Sequence, residues 1–314
     1  MSIRYAELQV TSHFSFLRGA SSCEELFAQA RLCGIEALGI VDRNSLAGIV
    51  QAHEAARATG VRLIVGCRLD LADGMAVLVY PTDRPAYSRL CRLLSLGKKR
   101  GGKGKCILYW DDVVAYGEGL LAVLVPDEPD EETALRLRLL CDAFPDRAYM
   151  ALTLRRRPND QLRLYELSQM AESFGVSTVV TNDVLFHEPG RRMLQDVVTC
   201  IRHNVTIDQL GDRRERHADR YLKSAEEMHR LFARHPEALA RTLEIADRCR
   251  FSLDELKYQY PEERDDPALT PQQTLEKLVW EGAARRYPEG VPDHVRATLR
   301  HELELIEKLD DGDE

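Results

Sequence analysis

The chain alternates between short apolar runs and longer stretches in which apolar residues recur every three or four positions. The short runs predict strands at Ala6–Val10, Ala37–Val41, Arg62–Val65, Met75–Tyr80, Leu120–Val125, Tyr149–Leu154 and Val176–Thr181. Between most of them lie helical patterns, at Cys23–Cys33, Ser45–Thr59, Arg84–Leu96, Glu131–Phe144 and Gln161–Phe174. Gly34 and Gly60 stand just past two helix ends, and Ser22 and Asn44 suit N-caps. Seven strands interleaved with helices require parallel crossover units, so the pattern predicts an α/β sheet, wound or closed into a barrel. In such sheets the loops at the C-terminal strand ends carry the chemistry.

After about Leu256 the pattern changes. Tyr258–Pro271 is rich in proline and charge and reads as a connection. Two helical patterns follow, at Gln272–Tyr287 and Pro292–Lys308, the second with Val295, Leu299, Leu303 and Ile306 on one face. These helices have little else in the chain to pack against, and the acidic ending LDDGDE is abrupt, so the chain reads as cut short. The expected organisation is a domain over residues 1–257, a linker over 258–271 and a helical segment over 272–314.

Composition narrows the class. Of 314 residues, 44% are hydrophobic and 30% charged, which suits a chain that buries a full core. No run approaches the roughly 18 apolar residues of a membrane span, and MSIRYAELQV has no apolar segment of a secretory signal. The eight cysteines are scattered without a CxxC pair and read as reduced core thiols of a cytoplasmic protein. A net charge of −8 argues against coating nucleic acid by charge alone, though not against a domain beside a nucleic-acid-binding partner. One segment runs against that balance. Gly97–Lys105, GKKRGGKGK, predicts a glycine-rich loop whose Lys98, Lys99, Arg100, Lys103 and Lys105 are candidates for phosphate or DNA contact. No Ser/Thr follows as in a nucleotide P-loop, and a mobile solvated loop is the plainer reading.

Seven stretches in order carry a family resemblance: Val10–Ala20 (VTSHFSFLRGA), Ala37–Gly48 (ALGIVDRNSLAG), Leu63–Cys67 (LIVGC), Val179–Asp183 (VVTND), Leu194–Ile201 (LQDVVTCI), Tyr221–Met228 (YLKSAEEM) and Pro236–Leu256. With them the chain resembles the N-terminal polymerase-and-histidinol-phosphatase (PHP) domain of bacterial C-family DNA polymerases, related to the DNA polymerase III alpha subunit. The likeness is greatest to the error-prone, translesion member. It implies a distorted seven-stranded (β/α) PHP-type barrel followed by a short helical segment.

In metal-active relatives the first strand ends in His-x-His, which here falls on Gln9 and Thr11, beside an extra carboxylate at Glu7. The Asp-His after the second strand falls on Asp42 and Arg43, and Gly-Cys-Glu on Gly66, Cys67 and Arg68. A later Asp-x-His falls on Asp183 and Leu185, and another histidine on Gly74 or Met75. Only Asp42 and Asp183 remain as metal-ligand candidates. Clustered divalent ions need a dense set of imidazoles and carboxylates at about 2.0–2.2 Å. Gln and Thr are poor substitutes, Leu is none, and two permanently charged guanidiniums would repel the cations. The site is therefore expected to be dismantled, with no catalytic residue and no cofactor of its own. Arg43 and Arg68 are expected to pair with Asp42, Asp183 and Glu7, because unpaired carboxylates converging in a cleft are costly. His13 is expected as a turn histidine off the ligand position, while His187, two residues past the lost histidine, is the one candidate to swing in.

The resemblance implies a parent protein that extends DNA past lesions in repair, using palm carboxylates and Mg2+ outside this chain. It also implies the remainder of that polymerase, DNA, a sliding clamp and a mutagenesis-associated accessory protein as partners, though no clamp-binding motif is visible. Two alternatives remain at this stage: a metal-dependent phosphoesterase or 3′–5′ exonuclease with a reduced ligand set, and a stand-alone interaction module.

Overall fold

A computed structural model describes residues 4–215, 217–256 and 268–310. The chain divides into two units, Met1–Leu256 and Lys257–Glu314. The first unit runs β1 (Ala6–Val10), α1 (Cys23–Leu32), β2 (Ala37–Ile40), α2 (Ile49–Thr59), β3 (Arg62–Val65), β4 (Cys67–Asp70), β5 (Ala76–Pro81) and α3 (Arg84–Gly101). It continues with α4 (Trp110–Tyr116), β6 (Leu120–Leu124), α5 (Glu131–Ala143), β7 (Ala148–Leu152), α6 (Asp160–Ser173) and β8 (Ser177–Val180). Three helices, α7 (Arg192–His203), α8 (Ala225–Leu231) and α9 (Pro236–Arg248), follow the last strand.

The strands form two sheets, ordered β1-β2-β3 and β4-β5-β6-β7-β8. The described residues hold eight strands where the sequence predicts seven, because Cys67–Asp70 pairs separately from Arg62–Val65. This CRLD segment is too short and too charged to register as an apolar run, yet Cys67 and Leu69 alternate into the core. The pairs β4–β5 and β5–β6 are antiparallel, so the all-parallel expectation fails there, while β6–β7–β8 and β1–β2–β3 are parallel.

Single bridges link the sheets at their C-terminal ends. Val10 pairs with Val184, with Thr11 N donating to Val184 O at 2.9 Å and Val184 N to Gln9 O at 2.8 Å. Arg43 pairs with Arg68 in the same manner. Between the sheets Leu8, Ile64, Leu78, Tyr80, Val123, Ala151 and Val179 form one core cluster, which Ile245 and Ala246 of α9 join. Each leucine, isoleucine and valine of this cluster stabilises the fold by roughly 1.5–3 kcal/mol on burial. Tyr80 OH donates to Leu8 O at 2.6 Å across this layer. Strands β1 and β2 approach closely at Gly39, where a Cβ would lie 2.6 Å from Leu8 O.

Local sequence explains the helix ends. Ser22 and Glu25 form a capping box on α1, and Gly60 closes α2 in the left-handed region. The predicted basic loop is corrected: α3 continues to Gly101, so Lys98, Lys99 and Arg100 are helical and only 102–105 turn. Cations in a last turn complement the helix dipole, and Gly97 is held because a Cβ there would strike Cys106 and Leu108.

The second unit holds α10 (Pro271–Arg286) and α11 (Asp293–Asp310). Thr270 and Gln273 cap α10, and Gln272 Nε2 donates to Leu303 O at 3.1 Å between the two helices. The expected linker lies outside the described residues over 258–267, and its last residue, Pro271, already begins α10. No helix among the described residues is long and apolar enough to cross a membrane.

Candidate functional site

The ends of β1, β2 and β4 and the turn after β8 meet at one rim, through the two bridges described above. Backbone strain gathers there. Asn44 (φ 49°) and Asp183 (φ 48°) adopt the left-handed region in turns that follow β2 and β8, and Leu17 (φ 58°) does so in the loop after β1. A register shift between Glu7 and Val10 re-aims the end of β1.

Asp183 is the hub of this rim. It accepts from Gln9 Nε2 at 2.9 Å and pairs with Arg220 at 2.5 Å and, more distantly, with Arg68 at 3.9 Å. Burial opposes its ionisation, but Arg220, Arg68 and more distant arginines outweigh it and hold the carboxyl well below the usual carboxylate range. Arg220 also donates to Glu215 at 2.6 Å and, through Nε, to the Asp183 carbonyl at 2.9 Å. Arg68 continues the chain to Asp70 at 2.8 Å, and Arg43 closes on the same carboxylate. Burial alone would raise Asp70, yet Arg68 and Arg43 hold it low. The Arg43 guanidinium is brought down to about 10 by burial and by the positive charges of Arg68 and Arg18.

Of the expected pairs the structure forms Arg68–Asp183, while Arg43 turns to Asp70 and neither Asp42 nor Glu7 is paired with these arginines. Asp42 meets no arginine: it is buried and accepts from Ser12 N at 2.9 Å, Ser12 Oγ at 2.7 Å and Ser15 Oγ at 2.7 Å. Burial pushes its carboxyl above the ordinary range despite these hydroxyls. Glu7 is buried too, accepting from Tyr5 OH at 2.7 Å, Gln9 N at 2.9 Å and Asn182 N at 3.2 Å, and burial raises it to about 7. Sequence reasoning missed Asp70, Glu215 and Arg220. Asp70 carried a signal, two positions beyond Arg68 on the same strand face; Arg220 and Glu215 lie in a charged loop with no local motif.

The remaining candidates fall into place around the hub. Thr11 is buried in the bridge to Val184, and Leu185 packs in a small apolar cluster with Ala20 and Phe186. His13 is exposed and stacks on Phe14, while His187 turns to Ser21 Oγ at 2.8 Å rather than to Asp183. Cys67 lends its thiol to the Asp42 carbonyl at 3.3 Å. Met75 is buried near β5, and Gly74 occupies a left-handed turn. At the far end of α3, Arg100 is committed to Asp112 at 2.6 and 3.0 Å, leaving Lys98, Lys99, Lys103 and Lys105 exposed.

A divalent ion does not fit this donor set. The oxygen lone pairs of Asp42 are engaged by serines and those of Asp183 by Gln9 and arginines, and guanidiniums stand where imidazole or carboxylate would be needed. Among the described residues no group of three or more His, Cys, Asp or Glu side chains is arranged to hold a metal ion.

Residues 7–154 match the family model described as PHP domain. The chain is 72% identical over 306 residues to error-prone DNA polymerase 1 of Agrobacterium fabrum, covering 98% of this chain and 28% of that protein. It is 68% identical over 307 residues to error-prone DNA polymerase 2 of Rhizobium meliloti, with the same 98% and 28% coverage. The chain therefore spans little more than a quarter of the length of these curated relatives. A solved amidohydrolase from Chromobacterium violaceum aligns with a TM-score of 0.45 at 16% identity, over 58% of this chain and 88% of that one, too slight a likeness to bear on function. On the matched model and these identities, residues 7–154 form a PHP domain, within a chain similar along nearly its whole length to part of the error-prone DNA polymerases.

Proposed function

We propose that the chain serves as a non-hydrolytic PHP domain of an error-prone DNA polymerase in repair and translesion synthesis, giving structural support to the polymerase core. In this reading the two sheets curve into a distorted barrel, residues 1–257 act as the supporting domain, and residues 272–314 lead toward a palm carried by the rest of that polymerase. The observation that carries it is the ion-pair chain Arg43–Asp70–Arg68–Asp183–Arg220–Glu215, which runs through positions that the family resemblance assigns to metal ligands. Partly buried charges that satisfy one another tie strand ends together, and breaking such a pair is costly. The partners that follow are the remaining polymerase segment and DNA, with a sliding clamp and a mutagenesis accessory protein added by the family likeness. Lys98, Lys99, Lys103 and Lys105 are the proposed DNA contacts on the supporting domain, each contributing about one unit to the salt dependence of binding.

The decisive assay offers the purified chain a generic phosphomonoester and a 3′-ended DNA strand in the presence of manganese. The proposal expects no turnover above the buffer rate. Turnover abolished by Asp183→Ala would replace it with the hydrolytic reading.

A further inference from the structure

Against the Asp183–Arg220–Glu215 end of the ion-pair rim lies a cavity of about 390 Å³ at the C-terminal ends of β7 and β8, within the usual range of roughly 300–1,000 Å³ for ligand sites. Its lining is dominated by arginine: Arg155, Arg156, Arg157, Arg213, Arg214 and Arg220. Four carboxylates also line it, and three of them are already taken. Arg220 holds Asp183 and Glu215, and Arg156 holds Asp219 at 2.6 Å.

The arginines differ in what they have left to give. Arg220 is fully engaged, with all three of its nitrogens donating. Arg156 uses only Nε on Asp219, and Arg214 uses only Nε on Asp196, at 2.9 Å. The Arg213 side chain has no hydrogen-bond or ion-pair partner among the described residues. Three guanidiniums therefore keep their terminal nitrogens unengaged around one cavity. Two of them are fixed in place by a carboxylate behind the Nε, which lowers the entropy cost of gathering a ligand. A planar fork with paired free N–H groups matches the oxygens of a phosphate. Backbone strain supports the same place: Arg156 (φ 55°) and Asp183 (φ 48°), both on the lining, are two of the six non-glycine residues in the left-handed region among the described residues. Such strain persists at ligand-binding positions more often than elsewhere.

We propose that this cavity binds a phosphate monoester, held by Arg156, Arg213 and Arg214, without cleaving it. The shared chemistry is the terminal phosphate, carried either by a free nucleotide or by the end of a DNA strand. Asp212, the one lining carboxylate without a partner among the described residues, can accept a hydrogen bond from a ligand hydroxyl beside the phosphate.

The test titrates the 314-residue chain, by calorimetry at fixed ionic strength, with a deoxynucleoside monophosphate and with a short oligonucleotide carrying or lacking a 5′-phosphate. Saturable binding of a phosphate-bearing probe is expected, with the unphosphorylated strand weaker by about tenfold or more, the loss of one charge-assisted contact. Tighter binding of the phosphorylated strand than of the mononucleotide assigns the site to strand ends, and the reverse assigns it to free nucleotides. Arg213→Gln is expected to weaken binding by about tenfold with an unchanged melting temperature, because that side chain has no partner to lose. Arg156→Lys keeps the charge but removes the fork, and is expected to weaken binding while preserving the pairing with Asp219. Equal affinity for the phosphorylated and unphosphorylated strands, no saturable binding up to millimolar phosphate probe, or wild-type affinity in Arg213→Gln would each overturn the assignment.

Discussion

Asp183→Asn tests the ion-pair rim most sharply, because it changes one oxygen to an amide and keeps the shape. The wild-type carboxylate accepts from Gln9 and faces Arg220 at 2.5 Å and Arg68 at 3.9 Å. After the change Arg220 retains only Glu215 and the Asp183 carbonyl, and Arg68 retains Asp70. Removing one partner of a buried pair costs about 3–5 kcal/mol, whereas exposed pairs contribute about 0–1. The side chains of Asp183 and Arg220 are 17% and 24% exposed, so solvent screens part of the interaction and the expected loss is about 3 kcal/mol. For a domain of this size that lowers the melting temperature by about 6–12 °C. The proton linkage points the same way. Because Asp183 ionises more readily folded than unfolded, its contribution is present above the unfolded carboxyl value and disappears as pH falls through the folded one. Urea melts of wild type, Asp183→Asn, Arg220→Met and the double variant between about pH 3 and 8 supply the check. A single-variant loss under about 1 kcal/mol, or a double variant that costs the full sum, would refute the tie.

Other consequences follow from buried groups nearby. Burial raises the Glu7 carboxyl from its ordinary value of 4.5 to about 7, so the folded state retains its proton in between; stability should fall by about 3 kcal/mol as pH rises through that window. Glu7→Gln should flatten that slope and leave the chain more stable than wild type above it, and an unchanged pH profile of the melting temperature would contradict this. Gly39→Ala forces a Cβ to 2.6 Å from Leu8 O, so β1 and β2 must separate; a loss of about 2 kcal/mol or more in denaturant melts is expected, and neutrality would count against the close approach. Replacing Lys98, Lys99, Lys103 and Lys105 by Gln together should reduce the salt slope of DNA binding by the full-length polymerase by about four at most, and leave the melt of this chain within about 0.5 kcal/mol.

Much of the fold is legible because its signals are local. Ala6–Val10 and Arg62–Val65 are apolar enough, and flanked clearly enough, that pattern and structure agree on their bounds. Cys67–Asp70 escapes because its two arginine and aspartate positions break the apolar run, although their side chains are what pair at the rim. The segment Gly97–Lys105 misleads for the opposite reason: glycine suggests a loop, but Gly97 is there to let the helix press on Leu108. At the site, the loss of metal ligands can be read from residue types alone, since no packing turns Leu185 or Arg68 into a ligand. Which carboxylate each arginine meets cannot be read that way. Asp42 is satisfied within its own neighbourhood by Ser12 and Ser15, and Asp183 is claimed by Arg220 from a distant loop. Those outcomes depend on tertiary placement, and period or spacing carries no trace of it.

The central claim is that charge pairing has taken the place of metal at this rim. Its most direct test is the melting temperature of the freshly purified chain, measured with added zinc or manganese and again after exhaustive chelation, alongside its metal content. The account predicts the same melt in all three conditions and metal far below one equivalent per chain. A stoichiometric ion, with a melt that rises on addition and falls on chelation, would contradict it.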